Sequence, residues 1–289
     1  MSTLSKFEKP LLSSLRVICL LLLFAVAYKS LVLRHSQVAA DSILPEIEAL
    51  VKDDLIRGYA EKGVTYPPDA VVFRAFKKEG DFEIWAKNAG QPKMSLIKTV
   101  RICAVDRMPG PKLQEGDLKT PEGFYHPEFG YASKKWWMWI RLNRQELDCR
   151  GEVGEGSCFK MCIEYPNEVD RANTRAAGMD QPGNEICLHG NCVSTGCISF
   201  SNRDFLDVFA GARHHDAGRY GRLQLHIFPF RFDRVPDPGS MMSGFIWFTV
   251  FPERKLEHFW RNLREGFDKF NTDPNPLKIR IEGNQYIYD

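Results

Sequence analysis

The sequence predicts an α+β fold, mostly β, in which a strand-rich middle is flanked by helices at both ends. Three observations lead there. Between Val71 and Phe230, short runs of alternating apolar and polar residues are broken by Gly, Pro and Asp, the pattern of half-buried strands and turns. Before them, Ile43, Ile47, Leu50, Val51 and Leu55 recur at helical spacing; after them, Leu256, Phe259, Trp260, Leu263 and Phe267 do the same. At 289 residues the chain can bury one substantial core with appendages.

The N-terminus differs from the rest. Lys6, Lys9 and Arg16 precede a twelve-residue apolar run, Val17 to Tyr28. A basic start before an apolar run shorter than the ~20 residues of a membrane span is an export signature. Ala25-Val26-Ala27 and Val38-Ala39-Ala40 each offer a cleavage site, whereas Ser30 to Leu33 extends the apolar segment toward an uncleaved anchor. Residues 1–40 are therefore expected to be a signal peptide or membrane anchor, giving an exported, periplasmic or envelope protein.

Asp41 can cap a helix running to about Tyr59, a lead-in over 41–65 that Lys62-Gly63 and Pro67-Pro68 end. Val71 to Lys87 reads as two strands about a turn at Gly80-Asp81, and Ser95 to Cys103 as a third. Pro109-Gly110-Pro111 and Glu115-Gly116-Asp117 mark a loop. Trp136 to Leu142 has the aromatic content of a strand, and the Gly-rich stretch between Cys149 and Cys162 reads as an irregular, disulfide-stapled insertion. Asn202 to His215 is a short helix. Arg222 to Phe230 is a strand with Gln224, His226 and Phe228 on the face opposite Leu223, Leu225 and Ile227. Pro252 opens the last helix, and a polar tail containing Asp273-Pro274-Asn275-Pro276 follows it.

The charge balance, 39 basic against 37 acidic residues with both signs scattered, gives no electrostatic case for a nucleic-acid partner. Cysteine is more informative. Of eight cysteines, Cys19 lies in the targeting segment, leaving an odd seven. An oxidising compartment favours pairing, so one thiol is left over. Ile186 to Phe200, ICLHGNCVSTGCISF, holds three cysteines and a histidine within the eleven positions from Cys187 to Cys197.

Three readings fit those residue types. Cys187, His189, Cys192 and Cys197 could be four zinc ligands, although no C-x2-C pair brackets them. They could instead form a disulfide cluster in a non-catalytic module. Or Cys197, directly after Gly196, could be a nucleophile with His189 as its base. A thiol of ordinary pKa, about 8.5, is only a few per cent ionised at neutral pH, and a neighbouring imidazolium is one way of lowering that pKa.

The segment HGNCVSTGCISF resembles the signature of the YkuD-type L,D-transpeptidases. Its short interval between His189 and Cys197 is similar to the YafK-like branch. Phe73 to Lys87, Gly110 to His126, Glu164 to Asn173 and Leu225 to Phe232 resemble segments of that branch in the same order, so the likeness covers roughly Val71 to Phe232. The position before Gly-Cys, usually a second histidine in the family, is Thr195 here.

The resemblance implies a β-sandwich catalytic domain over 66–235, with residues 236–289 as a C-terminal helix and tail. It implies peptidoglycan stem peptides as substrate, Cys197 as nucleophile, His189 as general base and Gly190 as the carbonyl that orients the imidazole. Ser194, Thr195, Gly196 and backbone N–H groups near Cys197 become candidate oxyanion or substrate contacts. Tyr125, His226 and Arg231 align with family motifs as further substrate contacts, with a loop-fixing tyrosine, a hydrogen-bonded strand histidine and an intramolecular ion pair as the alternative readings. No metal and no organic cofactor is implied. A wall-linked lipoprotein is a conceivable partner, and the same acyl-enzyme serves a hydrolase as well as a transferase.

Overall fold

A computed structural model of the chain describes residues 48–49, 51–131, 142–143, 146–147, 159–234 and 255–289. Residues 1–40, where an export segment is expected, Trp136 to Ile140, Cys149 and Cys158 lie outside them. The chain divides into a unit of residues 1–50 and one of residues 51–289, and the elements below belong to the second. Among the described residues no helix is long and apolar enough to cross a membrane.

Residues 51–60 are helical (α1), and Val51, Leu55 and Tyr59 are buried at the four-residue spacing that the sequence displays. Strands β1 (Ala70–Phe76) and β2 (Asp81–Lys87) form the expected antiparallel hairpin, and β3 (Ser95–Arg101) adds to its edge. Further on come β4 (Gly123–Tyr125), β5 (Glu128–Tyr131), a small pair β6 (Leu142–Asn143) and β7 (Glu146–Leu147), and β8 (Phe159–Cys162). Helix α2 (Glu168–Ala176) follows, then β9 (Cys187–His189), β10 (Ile198–Ser199), α3 (Asn202–Arg213), α4 (Ala217–Tyr220) and β11 (Gln224–Phe228). Helix α5 (Lys255–Thr272) and a hairpin of β12 (Ile279–Glu282) with β13 (Gln285–Tyr288) end the chain.

The architecture is mixed α/β. One sheet has the order β3-β2-β1-β11-β4, with β1 and β11 parallel; a second has the order β10-β9-β8-β5, with β9 and β10 parallel. Strand β11 is buried along its whole length, because both faces of the first sheet are covered. On one face Phe76 and Phe228 pack edge-on against Phe267 of α5. On the other, Phe73 meets Phe82, and Phe82 meets Phe200, with ring centroids 5.2 and 4.9 Å apart. Each such ring taken out of water contributes about 1.5–3 kcal/mol.

Phe200 also fixes the position of the second sheet. It directly follows β10, its N–H donates to the His189 carbonyl, and an isolated bridge joins Ser199 to Ala104 beyond β3. The β9–β10 pair is thereby anchored to the core of the first sheet.

The end of the chain corrects the expectation of a polar tail. Ile279 and Ile281 face Tyr288 and Tyr286 across a hairpin whose two loop residues, Gly283 and Asn284, have φ of 58° and 65°. Two left-handed residues in a two-residue loop suit the twist of the flanking strands. Tyr286 and Tyr288 are buried beside Phe124.

Candidate active site

Strand alternation explains how the sequence builds this surface. In the second sheet Ile198 pairs with Leu188, which pairs with Met161, and all three are buried. Their neighbours along each strand point to the opposite face. There Ser199 pairs with His189 and His189 with Lys160, while Cys187 pairs with Cys162. Extending the register by one residue puts Cys197 level with Cys187, and the Cys187 N–H indeed reaches the Cys197 sulfur at 3.3 Å. The face therefore carries two rows across three strands: Cys197, Cys187 and Cys162, then Ser199, His189 and Lys160. His189, Lys160 and Cys197 are half-buried.

Cysteine pairing removes two of the three readings of the cluster. Cys162 bonds Cys187 and Cys103 bonds Cys192, whereas Cys197 is a free thiol. A zinc site made of Cys187, His189, Cys192 and Cys197 is excluded, because two of its thiolates are committed to sulfur–sulfur bonds. The disulfide-cluster reading that needs Cys197 paired is overturned as well.

His189 Nδ1 lies 2.6 Å from the Gly190 carbonyl oxygen. A carbonyl only accepts, so Nδ1 carries the proton and Nε2 presents its lone pair. Gly190 itself has no room for a side chain: a Cβ would collide with the Asn202 amide oxygen, which accepts the Asn191 N–H at 2.9 Å. Gly196 is constrained similarly, with φ of 131° and the Lys119 carbonyl 2.9 Å from where a Cβ would sit. A glycine before the thiol is thus required by the backbone packed against it.

The loop between His189 and Cys197 is held in an unusual conformation. Asn191 and Cys192 have φ of 75° and 47°, and left-handed non-glycine residues cost on the order of 1–3 kcal/mol each. The Cys103–Cys192 disulfide, spanning 89 residues, ties this turn to the end of β3. A Cys103→Ser/Cys192→Ser variant is expected to lose on the order of 2–4 kcal/mol. Urea denaturation of oxidised proteins reads that loss directly.

Several expected contacts are placed differently. The Ser194 hydroxyl donates to the carbonyl of Cys197 at 2.6 Å and accepts the Gly196 N–H at 3.1 Å. Both groups therefore shape the loop rather than forming an oxyanion site. Thr195 is exposed beside them. Tyr125 is buried and donates to Asp170. His226 is fully buried with Nε2 3.1 Å from the Gln224 amide oxygen. Arg231 pairs with Glu83 at 2.7 Å and covers the Phe76 ring. These three polar groups answer to partners within the fold. Tyr125 and His226 line a cavity of about 540 Å³ that includes neither Cys197 nor His189.

The expected depression of the thiol pKa also fails. Burial pushes the Cys197 thiol up, against the opposing pull of the Cys187 N–H and the Lys160 charge. Burial likewise pushes His189 down, the Gly190 carbonyl opposing it and Lys160 reinforcing it. Both groups are driven toward their neutral forms. Lys160 escaped sequence reasoning, although the alternation of Lys160, Met161 and Cys162 is the signal that would have placed it on the thiol's face.

No model of a known protein family matches the chain. Among curated proteins it is 25% identical over 218 residues to "Putative L,D-transpeptidase YafK" of Escherichia coli K12, covering 75% of this chain and 73% of that protein. The namesake from Escherichia coli O157:H7 matches to the same extent. Among solved structures, the helical cell shape determining protein Pgp2 from Campylobacter jejuni aligns at 17% identity and a TM-score of 0.37, over 81% of both chains. Bd1075 of Bdellovibrio bacteriovorus aligns at 15% identity and a TM-score of 0.35, over 76% of this chain and 79% of its own. Over about three quarters of its length, then, the chain is similar to the protein named "Putative L,D-transpeptidase YafK".

Proposed function

We propose that the protein is an exported cysteine acyltransferase that acts on peptidoglycan stem peptides through a Cys197 thioester. One observation carries this reading. Four described cysteines are tied off in disulfides while Cys197 stays free, on the same half-buried face as an imidazole whose Nδ1 is capped by its own loop. The relationship to YafK supplies the substrate class, and two disulfides fit an oxidising compartment. Reading the two mixed sheets as a sandwich belongs to the same proposal.

In the reaction, the Cys197 sulfur attacks the carbonyl carbon of an amide joining an L centre to a D centre. As the carbon–sulfur bond forms, the thiol proton passes to His189 Nε2 and the carbonyl electrons move onto oxygen. The backbone N–H of Cys197 is the donor proposed to meet that oxyanion. Collapse breaks the carbon–nitrogen bond, and His189 returns its proton to the leaving amine. An acceptor amine then attacks the thioester, losing a proton to His189, and the thiol is regenerated.

Intact mass after exposure of the unreduced protein to a carbapenem tests the nucleophile. The expected result is one adduct on the wild type and none on Cys197→Ala; an undiminished adduct on the variant refutes the assignment. Incubation of isolated muropeptides with and without a D-amino acid then tests the acceptor. Exchange products formed only with the D-amino acid support transfer, and equal cleavage in its absence shows that water is the acceptor.

A further inference from the structure

Lys160 stands out because the reaction gives it no part. Its strand position pairs it with His189, on the far side of that histidine from Ser199. It is half-buried, and among the described residues its ammonium makes no hydrogen bond and no ion pair. The other lysine whose charge reaches the thiol, Lys112, is committed: its Nζ donates to Asp117 at 2.7 Å and to the Gln114 carbonyl at 2.8 Å. Glu185, beyond the thiol, contributes its backbone carbonyl 3.7 Å from the Cys197 sulfur. A cation on this face, beside the base and without a counter-charge among the described residues, asks for an anion.

The chemistry of the leaving group supplies one. His189 must approach the departing nitrogen to protonate it. When the departing group is a D-amino acid, its free carboxylate carbon lies two bonds further on, about 2.5 Å from that nitrogen. The carboxylate therefore falls next to His189, on the leaving-group side. Paired residues in an antiparallel sheet are about 4.5–5.5 Å apart at Cα, and a lysine side chain easily bridges that interval from the strand beside the base. We propose that Lys160 is the specificity-determining residue that binds the α-carboxylate of the departing D-amino acid, restricting the enzyme to stem peptides ending in a free carboxylate.

This assignment rests on the acyl-transfer reading. It also explains why a basic side chain is tolerated in a position where it disfavours protonated His189: its field is answered once the carboxylate arrives. A neutral side chain of similar volume at 160 removes the receptor and leaves the thiol, the imidazole and both disulfides in place.

The experiment compares two tetrapeptide stems, one with a free C-terminal carboxylate and one with a C-terminal carboxamide, on wild type, Lys160→Met and Lys160→Arg. A charge-assisted hydrogen bond predicts that wild type prefers the carboxylate in kcat/KM by about tenfold to a hundredfold. Lys160→Met should erase that preference, mainly through KM, and Lys160→Arg should restore most of it. Because any effect on the ionisation of the thiol acts on both peptides alike, the ratio isolates recognition. An unchanged ratio in Lys160→Met, or equal rates of the two peptides on wild type, overturns the inference. Binding of both peptides to Cys197→Ala, by calorimetry, separates the two levels. Carboxylate preference that depends on Lys160 without turnover by wild type would sustain the receptor and refute acyl transfer; turnover without preference would do the reverse.

Discussion

Replacing Glu122 with leucine is expected to lower folding stability by about 3–5 kcal/mol. Glu122 and Lys77 are both fully buried and pair at 3.1 Å. The Lys77 ammonium also donates to the carbonyls of Gly110 and Thr120, at 2.8 and 3.0 Å. Glu122 accepts the Gly110 N–H and the indole N–H of Trp260, each at 2.7 Å. One carboxylate thus joins the end of β1, the loop before β4 and helix α5. Leucine leaves the buried Lys77 ammonium with Asp106, 3.5 Å away, as its remaining carboxylate among the described residues and orphans two buried N–H donors, which is why the loss exceeds the worth of an exposed ion pair.

Glutamine is the informative companion. Its amide supplies one acceptor and one donor, so whichever way it turns, an NH2 group meets an N–H. An intermediate loss of about 1–3 kcal/mol follows. Adding Lys77→Met to the leucine variant should recover part of the deficit, since the under-compensated buried charge disappears while the Trp260 and Gly110 donors stay unpaired. Urea midpoints at constant m-value measure all three; a leucine variant within 1 kcal/mol of wild type would refute the role.

The same lock shows what sequence reading could and could not deliver. Gly110 to His126, which holds Glu122, is visible as a family-like segment, but nothing in the residue types distinguishes a buried tie from a substrate contact. Tyr125, His226 and Arg231 illustrate the same limit, because polar groups in apolar strands look alike whether a ligand or the core satisfies them. The β1–β2 hairpin, β3, α3 and α5 were legible because each is an apolar-patterned run bounded by turn or capping residues, although β1 and most of α3 are buried on every side. Helix α2 was not, as just Val169, Asp170 and Thr174 of its nine residues are buried. Its signal was the reciprocal cap of Asn167 and Asp170, a relative of the capping box. The terminal hairpin advertised itself through Gly283-Asn284 between alternating Ile and Tyr residues. Disulfide connectivity was beyond reach: Cys162 meets Cys187 because β8 and β9 are neighbours, a property of strand order that spacing does not encode.

Substituting His189 with alanine is expected to slow acylation of Cys197 by about 10²- to 10⁴-fold, and the pH profile identifies the reason. Because burial raises the thiol pKa and lowers that of the imidazole, the resting pair is neutral thiol and neutral imidazole rather than a preformed ion pair. The base therefore removes the proton during attack. Protonating His189 disables it, so the acid limb of the acylation rate falls below the ordinary imidazole value of about 6.5. Thiol ionisation enters only above its ordinary value of about 8.5. Between the two limbs the wild-type rate should be flat. Without the base, reaction depends on spontaneous thiolate, so His189→Ala should lose the acid limb and climb tenfold per pH unit up to the thiol pKa. An ion-paired dyad would instead show thiolate ultraviolet absorbance at neutral pH, with its acid limb set by protonation of that thiolate. Stopped-flow acylation by a β-lactam between about pH 5 and 10, with thiolate absorbance read at the same pH values, distinguishes the two, because a general base leaves the thiol protonated across the active plateau and a preformed ion pair shows thiolate throughout it.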